Sequence, residues 1–220
     1  MAILEPVKAK VLSVKFILNV SAGLAESMKL KPNQNSIGFF SCDIDDVAYT
    51  AIDEATKKAD VEVVYADSFY AGAANASTPL AGEFIGVLAG PDPAEVRAGI
   101  EAAVRLVQEE AFFYTANEEG TISFYAYTIS RTGSYLSKMA GVNEGDPICY
   151  LIAPPVESTF GVDAALKAAD VKMGAWFGPP TRTNFGGALL SGSQSACKAA
   201  ADAFRDAVLN VARSPLDYLG

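Results

Sequence analysis

The 220-residue chain contains no histidine at all. Histidine is the side chain most often used as a general base near neutral pH and is the commonest metal ligand. Its absence excludes every Ser-His and Cys-His catalytic pair. The sequence also lacks a P-loop, a G-x-G-x-x-G segment, a G-x-S-x-G segment and a C-x-x-C pair. We therefore predict a protein that is not an enzyme and that carries no cofactor.

Positive charge is also scarce. The chain has 17 Lys and Arg residues against 26 Asp and Glu residues, which gives a net charge of −9 and a pI near 4.5. This charge balance argues against binding to nucleic acid, whose phosphates need basic patches, and against binding to an anionic membrane surface. A small cationic molecule is the more favourable ligand for a protein of this charge.

Long apolar runs and close cysteine pairs are missing too. No apolar stretch reaches the length that spans a bilayer, and the first residues lack the basic-then-apolar layout of a signal peptide. The three cysteines, Cys42, Cys149 and Cys197, are an odd number without close spacing. We expect them to be buried free thiols in a reducing compartment.

The chain does contain an internal repeat. Residues recur at an offset of 110, half of the total length, as in the pairs Asp53 and Asp163, Lys57 and Lys167, Asp60 and Asp170, and Gly23 and Gly133. Each half has enough hydrophobic residues for its own core. We therefore predict two domains of one fold, residues 1–110 and residues 111–220.

Hydrophobic patterns predict the same order of elements in each half. Strands are expected at 8–18, 35–42, 61–65 and 84–89, and again near 121–130, 146–153, 171–177 and 186–191. Helices are expected at 45–59 and from Asp92 onward, and again near 155–169 and 193–212, with Asp92 and Ser193 as N-caps. This mixture favours an α+β fold with helices on one face of a sheet.

One loop differs in length between the halves. The first half carries about eight extra residues within 66–79, where the second half has only 178–184. A long loop rich in Ala, Gly and Ser on a small domain is typically functional, and a tolerated surface insertion is the alternative.

The sharpest difference between the halves is a group of acidic residues. Asp43, Asp45 and Asp46 stand where the second half has Ala153, Pro155 and Val156. Glu83, at the end of the long loop, adds a fourth carboxylate that the second half also lacks. One reading is helix capping, for which a single Asp would suffice. The others are a site that attracts an organic cation and a site for Mg²⁺ or Ca²⁺.

Aromatic residues near these acids could line such a cation site, although each could equally pack in the core. The candidates are Phe69, Tyr70, Phe112, Phe113 and Tyr114.

Several longer segments resemble one known family. They include Asp53-Glu54-Ala55-Thr56-Lys57, Tyr70-Ala71-Gly72-Ala73, Ser130-Arg131-Thr132-Gly133-Ser134-Tyr135 and Gly192-Ser193-Gln194-Ser195-Ala196-Cys197. The chain resembles, over nearly its whole length, the tandem-domain shell proteins of bacterial ethanolamine-utilisation microcompartments. The resemblance implies two circularly permuted microcompartment domains of ferredoxin-like type and a trimer that mimics a hexamer. It also implies a place in the shell beside other shell proteins, and passage of ethanolamine through pores.

The resemblance also implies roles for particular residues. Asp45, Asp46, Glu83 and Phe112 match the residues that line a small pore within each subunit. Two loops match the region that opens or closes a larger pore on the three-fold axis, and they contain Phe69, Tyr70, Ala71 and Gly72, and Pro179, Pro180, Thr181, Arg182, Asn184 and Phe185.

Two other functions remain open at this stage. A shell protein of a related alcohol or diol compartment would keep the assembly but lack the amine site. A tandem ligand-sensing module would form a discrete oligomer without any tendency to form sheets.

Overall fold

The computed structural model describes residues 3–69 and 82–216. In these ranges the helices are α1 Ala22–Ser27, α2 Asp45–Lys58, α3 Pro93–Glu109, α4 Ser134–Ala140, α5 Pro155–Ala168 and α6 Gln194–Arg213. The strands are β1 Pro6–Val7, β2 Val11–Ile17, β3 Ser36–Cys42, β4 Glu62–Ser68, β5 Phe84–Gly90, β6 Phe113–Thr115, β7 Ser123–Ile129, β8 Ile148–Ala153, β9 Val171–Phe177 and β10 Gly186–Gly192. The chain divides into two compact units.

The first unit comprises residues 8–69, 82–111 and 133–136. Its four strands form an antiparallel sheet in the order β2-β3-β5-β4. Helices α2 and α3 pack against each other and against strands of this sheet. Ile37, Val87 and Ala89 form part of the core, and each is at most 2% exposed.

The second unit comprises residues 3–7, 112–132 and 137–216. Its antiparallel sheet has the order β1-β6-β7-β8-β10-β9, so the last four strands repeat the order of the first unit. Helices α5 and α6 cover this sheet, and Phe124, Leu151 and Phe204 lie in its core. The predicted α+β architecture, with helices packed on antiparallel sheets, is therefore confirmed.

The repeat is less regular than a constant offset of 110. That value holds for α2 and α5, but β2 and β7 lie 112 residues apart and β5 and β10 lie 102 apart. The pairing of Gly23 with Gly133 is therefore wrong, and Ser21 is the residue that corresponds to Gly133. From the start of β3 to the start of α2 the first copy has two residues more than the second copy has from the start of β8 to the start of α5, next to its acidic group. Its loop between β4 and β5 is seven residues longer than the loop between β9 and β10, not eight.

All three cysteines are buried free thiols, as predicted. Burial raises the pKa of the Cys42 thiol to about 12, which makes it unreactive near neutral pH. A hydrogen bond between the thiols of Cys149 and Cys197 raises the pKa of Cys149.

The two predicted N-caps are also confirmed. The Asp92 carboxylate accepts hydrogen bonds from the amides of Ala94 at 2.8 Å and Glu95 at 3.0 Å. The Ser193 hydroxyl accepts one from the amide of Ala196 at 3.1 Å. These bonds satisfy amides that have no partner within the helix.

Asp92→Ala is expected to lower the free energy of unfolding by about 1 kcal/mol, because α3 would lose both bonds from its N-cap. Urea denaturation at a fixed protein concentration measures the change. Glu101→Ala, on an exposed position in the middle of α3, is the control and should have little effect. Equal destabilisation by both variants would contradict the role of the cap.

Candidate functional site: an acidic cluster between β3 and α2

The acidic residues surround the point where β3 ends and α2 begins. Asp45 and Asp46 occupy the first turn of α2, and each is only 7% exposed. The N-cap is Ile44, which makes no side-chain capping bond. Capping by an aspartate side chain therefore does not explain this group, although carboxylates in a first turn do interact favourably with the helix dipole.

Backbone hydrogen bonds bring Glu83 to the same place. The amide of Glu83 donates to the carbonyl of Cys42 at 2.9 Å, and the amide of Phe69 donates to the carbonyl of Glu83 at 3.0 Å. The preceding Gly82 has φ of +60°, and a Cβ atom there would lie 2.2 Å from the Cys42 carbonyl oxygen. Only glycine allows this approach, which fixes Glu83 beside the end of β3.

Asp43, which directly follows β3, is held in place by hydrogen bonds to Lys10. Its carboxylate accepts a hydrogen bond from the amide of Lys10 at 2.6 Å, and its own amide donates to the Lys10 carbonyl at 3.2 Å. Lys10, the residue directly before β2, therefore fixes the position of Asp43, as the loop end fixes that of Glu83.

The charges of this cluster act on one another. Burial, followed by repulsion from Asp45 and Asp43, raises the pKa of Glu83 to about 7. These three carboxyl groups are therefore close enough to interact, and Glu83 does not ionise readily at neutral pH. A bound cation would favour ionised Glu83 and offset the repulsion.

Three aromatic side chains, Tyr49, Phe84 and Tyr135, pack together near the acidic residues. The Tyr49 hydroxyl lies 2.7 Å from the Ser68 hydroxyl, and the Tyr49 ring meets the Phe84 ring edge-on with centroids 4.8 Å apart. Tyr135, from the 133–136 segment of the same unit, stacks on Tyr49 with centroids 6.0 Å apart. Burial and then the charges of Asp45, Asp67 and Asp46 raise the pKa of Tyr49 to about 12, so this ring lies near the acids and stays neutral.

Tyr49 and Tyr135 were not among the aromatic residues predicted for this region. A signal for Tyr49 was present, because it follows Asp45 by four residues and therefore lies one helical turn further on the same side of α2. Tyr135 gave no comparable signal, since its contact with Tyr49 joins residues distant in the sequence.

Phe112, the remaining residue assigned to the small pore, belongs to the second unit. It is half-buried and directly precedes β6. Phe113, the next residue, is buried against Tyr125, with ring centroids 5.2 Å apart, so this aromatic residue packs in the core.

The loop from Pro179 to Phe185, which is one of the two loops assigned to the larger pore, is a compact turn. The amide of Thr181 donates to the carbonyl of Phe185 at 3.0 Å, and the amide of Asn184 donates to the carbonyl of Thr181 at 3.1 Å. Of the first loop, Phe69 is half-buried after β4, whereas Tyr70, Ala71 and Gly72 lie outside the described residues.

Among residues 3–69 and 82–216, no three His, Cys, Asp or Glu side chains are arranged to hold a metal ion. In the same ranges, none of the helices has the length and apolar character needed to cross a membrane.

Glu83→Gln is expected to stabilise the protein at pH 8, by about 1 kcal/mol once solvent screening of this half-buried group is allowed for. Because the folded state holds the pKa of Glu83 above its ordinary 4.5, ionisation costs stability as the pH rises from 4.5 through about 7. The difference between variant and wild type should therefore be small at pH 4.5 and full at pH 8.

Urea denaturation at the two pH values, in phosphate buffer free of amines, measures this effect. Glu144→Gln, at an exposed position, is the control. A stability difference that does not change with pH would contradict the assignment.

Comparison with known proteins agrees with the repeated α+β fold. A model of the BMC domain family matches residues 36–117. The bacterial microcompartment shell protein EutL of Clostridium perfringens is 58% identical over 96% of this chain and 98% of its own length. The bacterial microcompartment shell protein EutL of Escherichia coli is 50% identical over 98% of this chain and 99% of its own length. The crystal structure of the ethanolamine utilization protein EutL from Leptotrichia buccalis has a TM-score of 0.95 at 56% identity and covers 99% of this chain and 100% of that one.

These relatives confirm the predicted class of protein. They are structural components of a microcompartment shell and not enzymes, and their tandem-domain fold is the one described above. The chain belongs to the EutL family of bacterial microcompartment shell proteins.

Proposed function

We propose that this chain assembles as a trimer in the shell and that the acidic cluster of each chain forms a small pore selective for ethanolamine. In this proposal Asp45, Asp46 and Glu83 bind the ammonium group, and Phe112 contributes an aromatic lining. The chain is also proposed to fold as two domains, 1–110 and 111–220, that take equivalent places in a six-sided tile.

The observation that carries this proposal is the convergence of carboxylates in one copy of the repeat only. Burial, and then the nearby charges of Asp45 and Asp43, raise the pKa of Glu83 to about 7. At the positions of Asp45 and Glu83 the second copy has Pro155 and Phe185. The fold itself therefore does not require these acids, and a small cation is the ligand that their charge favours.

The loops that contain Phe69–Gly72 and Pro179–Phe185 are proposed to gate a larger opening at the centre of the trimer. The Phe69 amide is bonded to the Glu83 carbonyl, so the start of the first loop is fixed to the acidic cluster. A ligand that binds the cluster differently in two loop conformations would shift their populations.

Electron microscopy of the purified protein, concentrated at low salt, tests the assembly. Hexagon-shaped particles with three-fold symmetry that pack edge to edge are the expected result. Monomers, dimers or particles that do not tile would overturn the proposal. Titration with ethanolamine, and with an uncharged diol of similar size, then tests the pore, because only the amine should bind.

A further inference from the structure

Two of the three cysteines lie side by side in the core of the second unit. Cys149 is in β8 and Cys197 is in the first turn of α6, and both side chains are fully buried. Their thiol groups are hydrogen-bonded to each other. The third cysteine, Cys42, belongs to the first unit, where it ends β3. The fold therefore brings together two thiols that are distant in the sequence.

The sheet fixes Cys149 beneath the start of α6. Cys149 is directly opposite Leu190 in the antiparallel pair of β8 and β10. The Sγ atom of Cys197 lies 4.0 Å from the Leu190 carbonyl oxygen and 3.8 Å from that of Gly192. The Cys197 thiol is therefore directed at the part of β10 that pairs with Cys149, and both thiols belong to the same hydrophobic core.

The first copy of the repeat has Gly38 and Val96 at these two positions. Gly38 occupies in the ladder of β3 and β5 the place that Cys149 occupies in the ladder of β8 and β10. Val96, like Cys197, is the fourth residue after the N-cap of its helix. A Cβ atom on Gly38 would lie 2.8 Å from the Cγ1 atom of Val96. The repeat therefore shows that strand and helix approach each other very closely at this pair of positions.

This approach is the one that a disulfide needs. A Cβ atom lies about 3 Å from the sulfur of the partner cysteine when an S–S bond of about 2.05 Å joins the two residues. The Sγ atom of cysteine is attached to Cβ as the Cγ1 atom of valine is, so the 2.8 Å distance in the first copy is the equivalent one. Cys149 and Cys197 can therefore be bonded with little movement of the backbone.

Cys197 is the thiol that is better prepared to react. The hydrogen bond from the Cys149 thiol lowers the pKa of Cys197, and the positive end of α6 also favours a thiolate there. The same hydrogen bond raises the pKa of Cys149, which remains the protonated donor. Gln194 and Ser195, which precede Cys197 in α6, are exposed, so opening of this single turn gives a small oxidant access to the sulfur.

We propose that Cys149 and Cys197 form a reversible disulfide when the protein meets a peroxide. The Cys197 thiolate attacks one peroxide oxygen, the O–O bond breaks, and the departing hydroxide takes up the proton that Cys197 released. The Cys149 sulfur then attacks the sulfenic acid on Cys197, the S–S bond forms, and the sulfenic oxygen leaves as water. Two thiols and one hydrogen peroxide become one disulfide and two waters. A small thiol reverses the change by thiol–disulfide exchange.

The new bond strengthens the second unit. It joins β8 to α6 and closes a loop of chain that contains α5, β9 and β10. A cross-link around a long loop stabilises the folded state mainly because it restricts the unfolded chain. The thermal midpoint of the oxidised protein is therefore expected to lie about 5 to 10 °C above that of the reduced protein.

Treatment of the folded wild-type protein with hydrogen peroxide tests the proposal. Free thiols are counted after the protein is unfolded in urea with an excess of alkylating reagent. The count should fall from three to one, and peptide mapping should find Cys149 joined to Cys197. A thiol reductant should restore all three thiols and the lower thermal midpoint.

Two variants separate the pair from cysteine oxidation in general. Cys42→Ala is the matched control, because it removes a buried cysteine that lies outside the pair, and it should still form the disulfide. Cys149→Ala should form none, and its thermal midpoint should not rise with peroxide. In that variant the sulfenic acid on Cys197 has no partner, so dimedone should label it, whereas the wild type should remain unlabelled.

Three results would overturn the proposal. The first is three unreacted thiols in the folded wild-type protein, with a disulfide only after unfolding. The second is sulfinic acid on Cys197 while Cys149 stays free, and the third is cross-links between chains in place of the internal bond. None of these results bears on the shell assembly, which electron microscopy tests separately.

Discussion

Replacing Asp45 by Asn and Glu83 by Gln in one chain is expected to weaken ethanolamine binding about 100-fold, because two charge-assisted bonds of about 1.5 kcal/mol each are lost. Both substitutions keep the size of the side chain and remove one negative charge each. Isothermal titration calorimetry with ethanolamine, in phosphate buffer free of other amines, measures the change. The oligomer should persist, because the variants remove charge and add no bulk.

The matched control is the double variant Glu144→Gln with Asp170→Asn. Both residues are exposed and lie in the second unit, and the pair lowers the net negative charge by the same amount. If binding depended only on the overall charge of −9, the two double variants would lose affinity equally. Unchanged affinity in the Asp45 and Glu83 variant would contradict the proposed pore.

Binding should also depend on pH in a defined direction. The pKa of Glu83 is about 7 in the free protein, whereas an alkylammonium group stays protonated up to about pH 10. Affinity is therefore expected to rise as the pH increases through 7, and binding below pH 7 should release protons. Glu83→Gln should remove most of this dependence, which separates the role of Glu83 from that of Asp45.

Most of the fold could be predicted from the sequence because long elements carry strong periodic signals. The eight predicted strands and the four long helices appear within a few residues of their predicted bounds, and Asp92 and Ser193 cap α3 and α6. The short elements β1, β6, α1 and α4 were not predicted. β1 and β6 have two and three residues, too few to show strand alternation, and α1 and α4 have six and seven, too few to show a helical period. Tertiary contacts fix these elements instead.

The candidate site was predictable only in part, for a related physical reason. The contrast between Asp45 and Pro155 is visible in the repeat, since both begin a long helix. The approach of Glu83 to Asp43 and Asp45 depends on the positive φ of Gly82, which the sequence does not encode by any pattern. That Asp45, Asp46, Glu83 and Phe112 line a pore stays a prediction, which the binding experiments test.

Asp53 shows how far a single repeated residue can differ in role between two copies. Its counterpart Asp163 is exposed and pairs with Lys167 at 2.6 Å. Asp53 is fully buried, and burial raises the pKa of its carboxyl group although the amides of Gly133 and Leu136 act in the opposite direction. A buried acid kept at such a cost is expected to have a structural function that the exposed one lacks.

Asp53→Ala is therefore expected to lower the free energy of unfolding by about 3 to 5 kcal/mol, because two buried amides lose their acceptor. Asp53→Asn keeps one acceptor oxygen and should cost about half as much. Urea denaturation at fixed protein concentration measures both, and Asp206→Ala, at an exposed aspartate, is the control.

Hydrogen exchange distinguishes loss of this contact from a general loss of stability. In Asp53→Ala the amides of Gly133 and Leu136 should exchange much faster. Amides in β8, which lies in the other unit, should exchange faster only as far as global unfolding becomes more frequent. Gly133→Ala should reproduce the pattern, since its Cβ atom would lie 2.4 Å from the Asp53 carbonyl oxygen. Uniform acceleration at all sites would contradict a local role, because a contact that holds only residues 133–136 must release those residues first.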